Sequence, residues 1–169
     1  MSFNYIGVIS DSHDRIAPLE AACRIFEDYG VERVVHCGDV VTPETASLFQ
    51  NYEYLRSVPF DVVWGNNDWK QQELTAEFEK LGPACTCWQG GGNFVWRGKK
   101  VFFTHGHESL RLENEMFSGE WDLVLCGHTH QCANELIGKT RVVNPGAVLL
   151  GSLCIIDDDL NVEFLEVDR

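Results

Sequence analysis

The sequence predicts a mixed α/β sandwich, with strand–helix–strand units first and antiparallel strands after them. Two textures carry that reading. Up to about residue 83, short apolar runs alternate with helical stretches, the pattern of parallel strands joined by crossover helices. From Ala84 onward, short strand-like runs are separated by glycine-rich and charged turns, the pattern of hairpins. The chain has 169 residues and holds no linker, repeat or low-complexity tract, so residues 1–169 read as a single domain. That length buries roughly two-thirds of the unfolded surface.

Tyr5 to Ser10 is the expected first strand, with Asp11 to Asp14 as the loop at its end. A helix follows, with Pro18 early and Gly30 just past its end, and Leu19, Cys23 and Phe26 recur on one face. Val31 to His36 returns as a strand parallel to the first. Thr42-Pro43-Glu44 reads as cap, first helical position and acidic first turn of a helix to about Tyr52. Val62 to Trp64 is the third strand, and Gln71 to Leu81 a helix stopped by Gly82-Pro83. Ala84 to Trp88, Phe94 to Trp96 and Lys100 to Phe103 are expected as short antiparallel strands. A hairpin bearing Trp88, Phe94 and Trp96 suits either core packing or a subunit contact. Leu110, Glu113, Met116 and Phe117 mark a brief helix, and Asp122 to Cys126 a buried strand. Cys132 to Ile137, Thr140 to Val143, Leu149 to Ile156 and Val162 to Val167 are expected to close the fold as an antiparallel meander.

A formal net charge of −13 argues against a general nucleic-acid binder or an anionic-membrane binder. An anionic substrate stays compatible, because bound divalent cations invert the potential locally. No run of about 18 apolar residues suggests a membrane span, and the N-terminus lacks a secretory pattern, so a cytoplasmic location is expected. The seven cysteines are scattered without a Cys-x-x-Cys pair, which suits reduced thiols. Zinc held by Cys85 and Cys87 would need a second pair that is not nearby.

The chemistry gathers where apolar runs stop. Ile6 to Ile9 leads into Asp11-Ser12-His13, and Val34-Val35 into Gly38-Asp39. Val62 to Trp64 leads into Gly65-Asn66-Asn67-Asp68, and Val101 to Phe103 into Thr104-His105-Gly106-His107. Leu123 to Leu125 leads into Gly127-His128-Thr129-His130. All six histidines fall in these five segments. In α/β sheets such strand ends converge on one edge, where ligand sites lie. Aspartate, histidine and asparagine without thiolates suit Mn²⁺, Ni²⁺, Fe²⁺, Zn²⁺ or Co²⁺. The groups exceed what one tetrahedral ion needs and suit two ions about 3.5–4 Å apart, clamping a phosphoryl transfer. Asp39 is the carboxylate such a pair would share.

In this order the five motifs resemble the calcineurin-like metallophosphoesterase superfamily, and more narrowly its small single-domain prokaryotic phosphodiesterases. The likeness runs from about residue 5 to Asn144-Pro145-Gly146. It implies a four-layer αββα sandwich with mixed sheets and a binuclear centre at the strand ends. One ion would take Asp11, His13, Asp39 and His130, and the other Asp39, Asn66, His105 and His128. The implied reaction is hydrolysis of a small phosphodiester or nucleotide-like substrate, by in-line attack of a hydroxide bridging the two ions. A phosphomonoesterase on the same site is the alternative enzyme. A non-catalytic scaffold like a retromer subunit is the alternative class, against which the intact ligand positions weigh. Asn66, Asn67, Asp68 and His107 are the expected catalytic group, with Arg15 and Arg111 as candidates for phosphate oxygens. Many superfamily members carry histidine in place of Asn67, and that histidine protonates the leaving group. An amide cannot serve as that acid. Trp69 is expected to pack the loop or to stack a nucleobase, and His36 to be a core histidine bonded to backbone.

Overall fold

A computed structural model describes residues 4–169. Strand β1 (Tyr5–Ile9) leads into α1 (Ile16–Tyr29), and the chain returns as β2 (Arg33–His36), parallel to β1. Helix α1 stops where expected: Gly30 takes a left-handed φ of 63° and its N–H reaches back to Glu27 and Phe26 carbonyls. Helix α2 (Pro43–Leu48) starts on Thr42, whose hydroxyl accepts the Thr45 N–H at 3.4 Å. The single helix expected to reach Tyr52 is instead broken. A 3₁₀ turn spans Phe49–Asn51, Tyr52 is extended, and α3 (Glu53–Ser57) follows. Strand β3 (Phe60–Val63), helix α4 (Gln71–Glu79) and strand β4 (Cys85–Trp88) complete the first half.

Strand β4 corrects the sequence reading. It pairs parallel with β3, so residues 85–88 belong to the first sheet and not to a hairpin. Helix α4 is the crossover that a parallel neighbour requires. The true hairpin is β5 (Gly92–Trp96) with β6 (Lys99–Phe103), turning at Arg97-Gly98. After α5 (Ser109–Phe117), strand β7 (Leu123–Leu125) runs parallel to β6. The expected closing meander is two hairpins in different sheets. Strands β8 (Cys132–Ile137) and β9 (Thr140–Pro145) extend the second sheet. Past a 3₁₀ turn at Val148–Leu150, strands β10 (Ser152–Asp157) and β11 (Val162–Glu166) join the first. Strand-like spacing identifies each of these runs, but it does not say which sheet edge a hairpin meets.

The first sheet has the order β11-β10-β1-β2-β3-β4 and the second β5-β6-β7-β9-β8. Alternation along the strands builds three cores. Val34, Phe60 and Val62 face α1 to α4, packing on Leu19, Phe26, Leu74 and Phe78. Val8, Val35 and Val63 point the other way, meeting Val101, Phe103, Leu123 and Leu125 of the second sheet. Phe102, Val124 and Val142 face outward under Leu112 and Met116 of α5. The layers are therefore helices, sheet, sheet, helix: the four-layer αββα sandwich. Central strands buried on both faces explain the unbroken apolar runs in the sequence.

Candidate metal centre

Strands β1 to β4 run parallel in the first sheet and β6, β7 and β9 in the second, so their C-terminal ends set the chemistry at one edge. Backbone bonds join the exits in pairs. Asp11 N–H donates to the Gly38 carbonyl at 2.9 Å, His13 N–H to Asp39 at 3.1 Å, and Gly127 N–H to His105 at 2.9 Å. Close approach requires glycine at two of these exits: a Cβ on Gly65 would overlap Asp39 Oδ1, and one on Gly127 would overlap Ser10 Oγ. Asp11, His13, Asp39, His128 and His130 all take left-handed backbone conformations, with φ of 54°, 41°, 61°, 69° and 61°. Such conformations cost of order 1–3 kcal/mol each and cluster where a site demands them.

These turns aim acids and imidazoles at one another. Among the described residues, two groups bring three potential ligand atoms within 4.8 Å: Asp11, His13 and His130, and Asp11, Asp39 and His105. Asp11 Oδ1 lies 3.1 Å from His130 Nε2 and 4.0 Å from His105 Nε2. Asp11 is common to both groups, and Asp39 Oδ2, in the second, lies 3.2 Å from His13 Nε2 and 3.4 Å from His105 Nε2. Both carboxylates thus stand between the histidines, whereas the sequence singled out Asp39. The Asn66 amide oxygen is 3.0 Å from His105 Nε2. His128 belongs to neither group; its ring stands 5.1 Å from that of His105, and its N–H donates to Asp11 Oδ2 at 3.0 Å.

The electrostatics are those of crowded acids. Burial alone would raise the Asp11 carboxyl, but His13 and Ser10 outweigh it and hold it below its ordinary value. Asp39 is likewise lowered, with His105 and His13 overcoming the effect of burial. Conversely, the Asp11 and Asp39 carboxylates raise His13 to about 10. Asp39 also raises His105 against the effect of burial. His13 Nε2 is buried and makes no hydrogen bond, although both carboxylates flank it. An imidazole nitrogen aimed between two carboxylates suits a divalent cation, and so does a thiolate-free Asp/His/Asn donor set.

The other expected residues divide. Asn67 turns to Asp39, its N–H donating to Oδ1 and its side-chain amide to Oδ2, both at 2.9 Å. Asp68, expected in the catalytic group, turns inward onto backbone. Its buried carboxylate accepts N–H bonds from Gly65 at 2.7 Å, Val41 at 2.7 Å and Asp39 at 2.9 Å, tying the loops of Asp39 and Gly65 together. Burial raises its pKa in spite of those three bonds. His107 lies on the rim, its ring 5.4 Å from His105 and 6.3 Å from His128. It lines an open groove of about 720 Å³ with Arg111 and Asn114. Burial and then the neighbouring His105 lower its pKa. Arg111 is held by Glu108 at 2.9 Å, and Arg15 is exposed. Trp69 does not pack the loop: it is 84% exposed, because Asp68 occupies the loop's interior. Cys85 and Cys87 join neither ligand group.

Three positioning side chains escaped the sequence reading. Ser10 donates to Asp11 Oδ2 at 2.5 Å, and Ser12 reaches the Asp39 carbonyl at 3.4 Å. Asn144 donates to the Gly127 carbonyl at 2.9 Å and to Thr129 Oγ1 at 3.0 Å, steadying the loop of His128 and His130. The available signals were two serines flanking Asp11 and an asparagine before Pro145-Gly146 at a strand end.

Comparison with known proteins agrees with this geometry. Phosphodiesterase MJ0936 of Methanocaldococcus jannaschii is 33% identical over 144 residues, covering 83% of this chain and 82% of that protein. Phosphodiesterase YfcE of Escherichia coli K12 is 28% identical over 148 residues, covering 82% and 76%. A solved archaeal phosphodiesterase superposes with a TM-score of 0.88 at 28% identity, covering 96% of this chain and 99% of that one. Vps29 from Entamoeba histolytica shares the fold alone, at 17% identity and a TM-score of 0.62 over 97% of this chain and 99% of that one. The calcineurin-like phosphoesterase superfamily domain matches residues 5–153, and with acid- and histidine-bearing loops at the exits of both sheets, this chain belongs to that superfamily.

Proposed function

We propose that residues 1–169 act as one metal-dependent phosphodiesterase domain holding two divalent transition-metal ions, with manganese and nickel the first to try. Asp11, His13, Asp39 and His130 would hold one ion, and Asp39, Asn66, His105 and His128 the other. The observation that carries this reading is the pair of overlapping acid–imidazole groups, which share Asp11 and bring His13 Nε2 within 3.5 Å of Asp11 and 3.2 Å of Asp39. Bound there, the ions supply Lewis-acid charge to the phosphoryl oxygens and lower the pKa of a coordinated water. The chain's own contribution is alignment. Asn67 fixes the Asp39 carboxylate through both of its hydrogen bonds, and Asp68 locks the loops of Asp39 and Gly65. His107, on the rim, is within the groove to donate one hydrogen bond to a phosphoryl or leaving-group oxygen.

A small phosphodiester is the favoured substrate, supported by the relatives named phosphodiesterases. The net charge of −13 disfavours general nucleic-acid binding. All seven cysteines are free thiols, and no described helix is long and apolar enough to cross a membrane. Both fit the cytoplasmic location we favour. The test is turnover by manganese-loaded protein of an aryl phosphodiester against the matching monoester. The diester should be hydrolysed faster, and chelation should abolish the activity. Because Asn67 is no acid, kcat/KM should fall steeply as the leaving group becomes more basic. Faster monoester hydrolysis would contradict the diesterase reading, and a flat leaving-group dependence would show that another group supplies the proton.

A further inference from the structure

The backs of two ligand loops meet on one side chain that faces away from the centre. His36 closes β2, is fully buried, and lies edge-on to Phe49 with ring centroids 6.2 Å apart. The Gly38 N–H donates to its Nδ1 at 3.1 Å. A ring nitrogen that accepts carries no proton, so the proton of the neutral imidazole sits on Nε2. Nε2 is 3.1 Å from Ser12 Oγ, which must therefore accept. The Ser12 hydroxyl hydrogen is then left to donate to the Asp39 carbonyl, 3.4 Å away.

We propose that His36 is a positioning residue for the metal centre, coupling the loop of Asp11 and His13 to the loop of Asp39 through Ser12. The proposal rests on the metal-centre reading above. The two loops it joins contain Asp11, His13, Gly38 and Asp39, whose φ values of 54°, 41°, 101° and 61° are all left-handed. At the three non-glycine positions such conformations persist only where their surroundings over-determine them. Across the same seam run two backbone bonds, Asp11 N–H to Gly38 and His13 N–H to Asp39. The Asp39 carbonyl thus accepts both from His13 and from Ser12. An apolar residue at position 36 would fill the space beside Phe49 but leave the Gly38 N–H and the Ser12 hydroxyl buried without the ring. Burial lowers the His36 pKa to about 4, so the ring stays neutral near pH 7 and keeps Nδ1 free to accept.

The test uses His36→Asn, Ser12→Ala and the double variant. Asparagine keeps an acceptor near Nδ1 for Gly38 but is too short to reach Ser12. Each single variant should weaken Mn²⁺ binding, measured by calorimetry, on the order of 10- to 100-fold, as loss of partners behind metal ligands does. The double variant should be little weaker than either single, because both cut one link. Unchanged affinity in both single variants would overturn the proposal, and so would losses that multiply in the double. Ser12→Ala removes one oxygen and keeps the test alive if His36→Asn does not fold. Nitrogen NMR of the metal-free wild type gives a second readout, expected to show the Nε2-protonated ring; an Nδ1-protonated ring overturns the coupling. Wild type that binds no Mn²⁺ would sink the metal-centre reading and this proposal together. Wild type that binds normally beside unaffected variants would sink this proposal alone.

Discussion

The two ends of the paired sheets handle charge in opposite ways. Where the parallel strands begin, Arg33 Nε donates to Asp61 Oδ2 at 2.7 Å, and the indole of Trp88, from the last residue of β4, donates to Asp61 Oδ1 at 2.9 Å. The Arg33 guanidinium also lies 3.7 Å from the centre of the Phe94 ring, and Arg97 forks onto Glu32. Opposite charges meet there in good geometry, and the result joins the two sheets. Where the strands end, Asp11 and Asp39 crowd the same imidazoles, and His13 Nε2 makes no hydrogen bond. The first end is complete as folded. The second is short of positive charge, as a cation site is.

Substitutions at the two ends should therefore separate stability from activity. The largest stability effect is expected at the first end. Asp61→Ala leaves Arg33 without its carboxylate and should cost about 3 kcal/mol, the lower end for a buried pair because Arg33 keeps some access to water. Denaturant unfolding measures that loss, while kcat/KM per folded molecule should stay at the wild-type value. A matching loss of kcat/KM would mean that the two ends are not independent.

Asp68→Asn comes next and tests the boundary between the two roles. It removes acceptor capacity from the three N–H groups of Asp39, Val41 and Gly65, so about 1–3 kcal/mol of stability should go. Here, unlike at Asp61, metal retention and turnover should fall together with stability. Retained metal and turnover would make Asp68 a fold residue only. Trp69→Ala should be the mildest, within about 0.5 kcal/mol in a thermal melt, since the indole is 84% exposed. A large drop in melting temperature would show that the side chain packs after all.

The same contrast explains what was legible in the sequence. Residues that break an apolar run with Asp, His or Asn announce a strand end, and five such breaks located the site. Pro43 and Gly30 marked helix limits because each imposes its own backbone geometry. Sheet membership was not legible. Ala84 to Trp88 read as an antiparallel strand because its spacing is the same in either direction, and Ser152 to Glu166 carry no mark of returning to the first sheet. Nor could spacing separate Asp68 from its neighbours. A carboxylate turned inward onto three N–H groups and one turned outward to a cation look alike in sequence.

In the proposed centre the strand-end acids hold two ions and Asp39 serves both. The direct measurement is metal content per chain, after manganese loading and dialysis, for wild type, His130→Ala, His128→Ala and Asp39→Asn. Wild type should retain two ions, His130→Ala should empty mainly the first set, and His128→Ala mainly the second. Asp39→Asn should weaken both, with turnover down at least about 100-fold, the upper end seen for partners lying behind metal ligands. Asp39→Asn that keeps two ions and near-normal turnover would rule out Asp39 as a shared ligand.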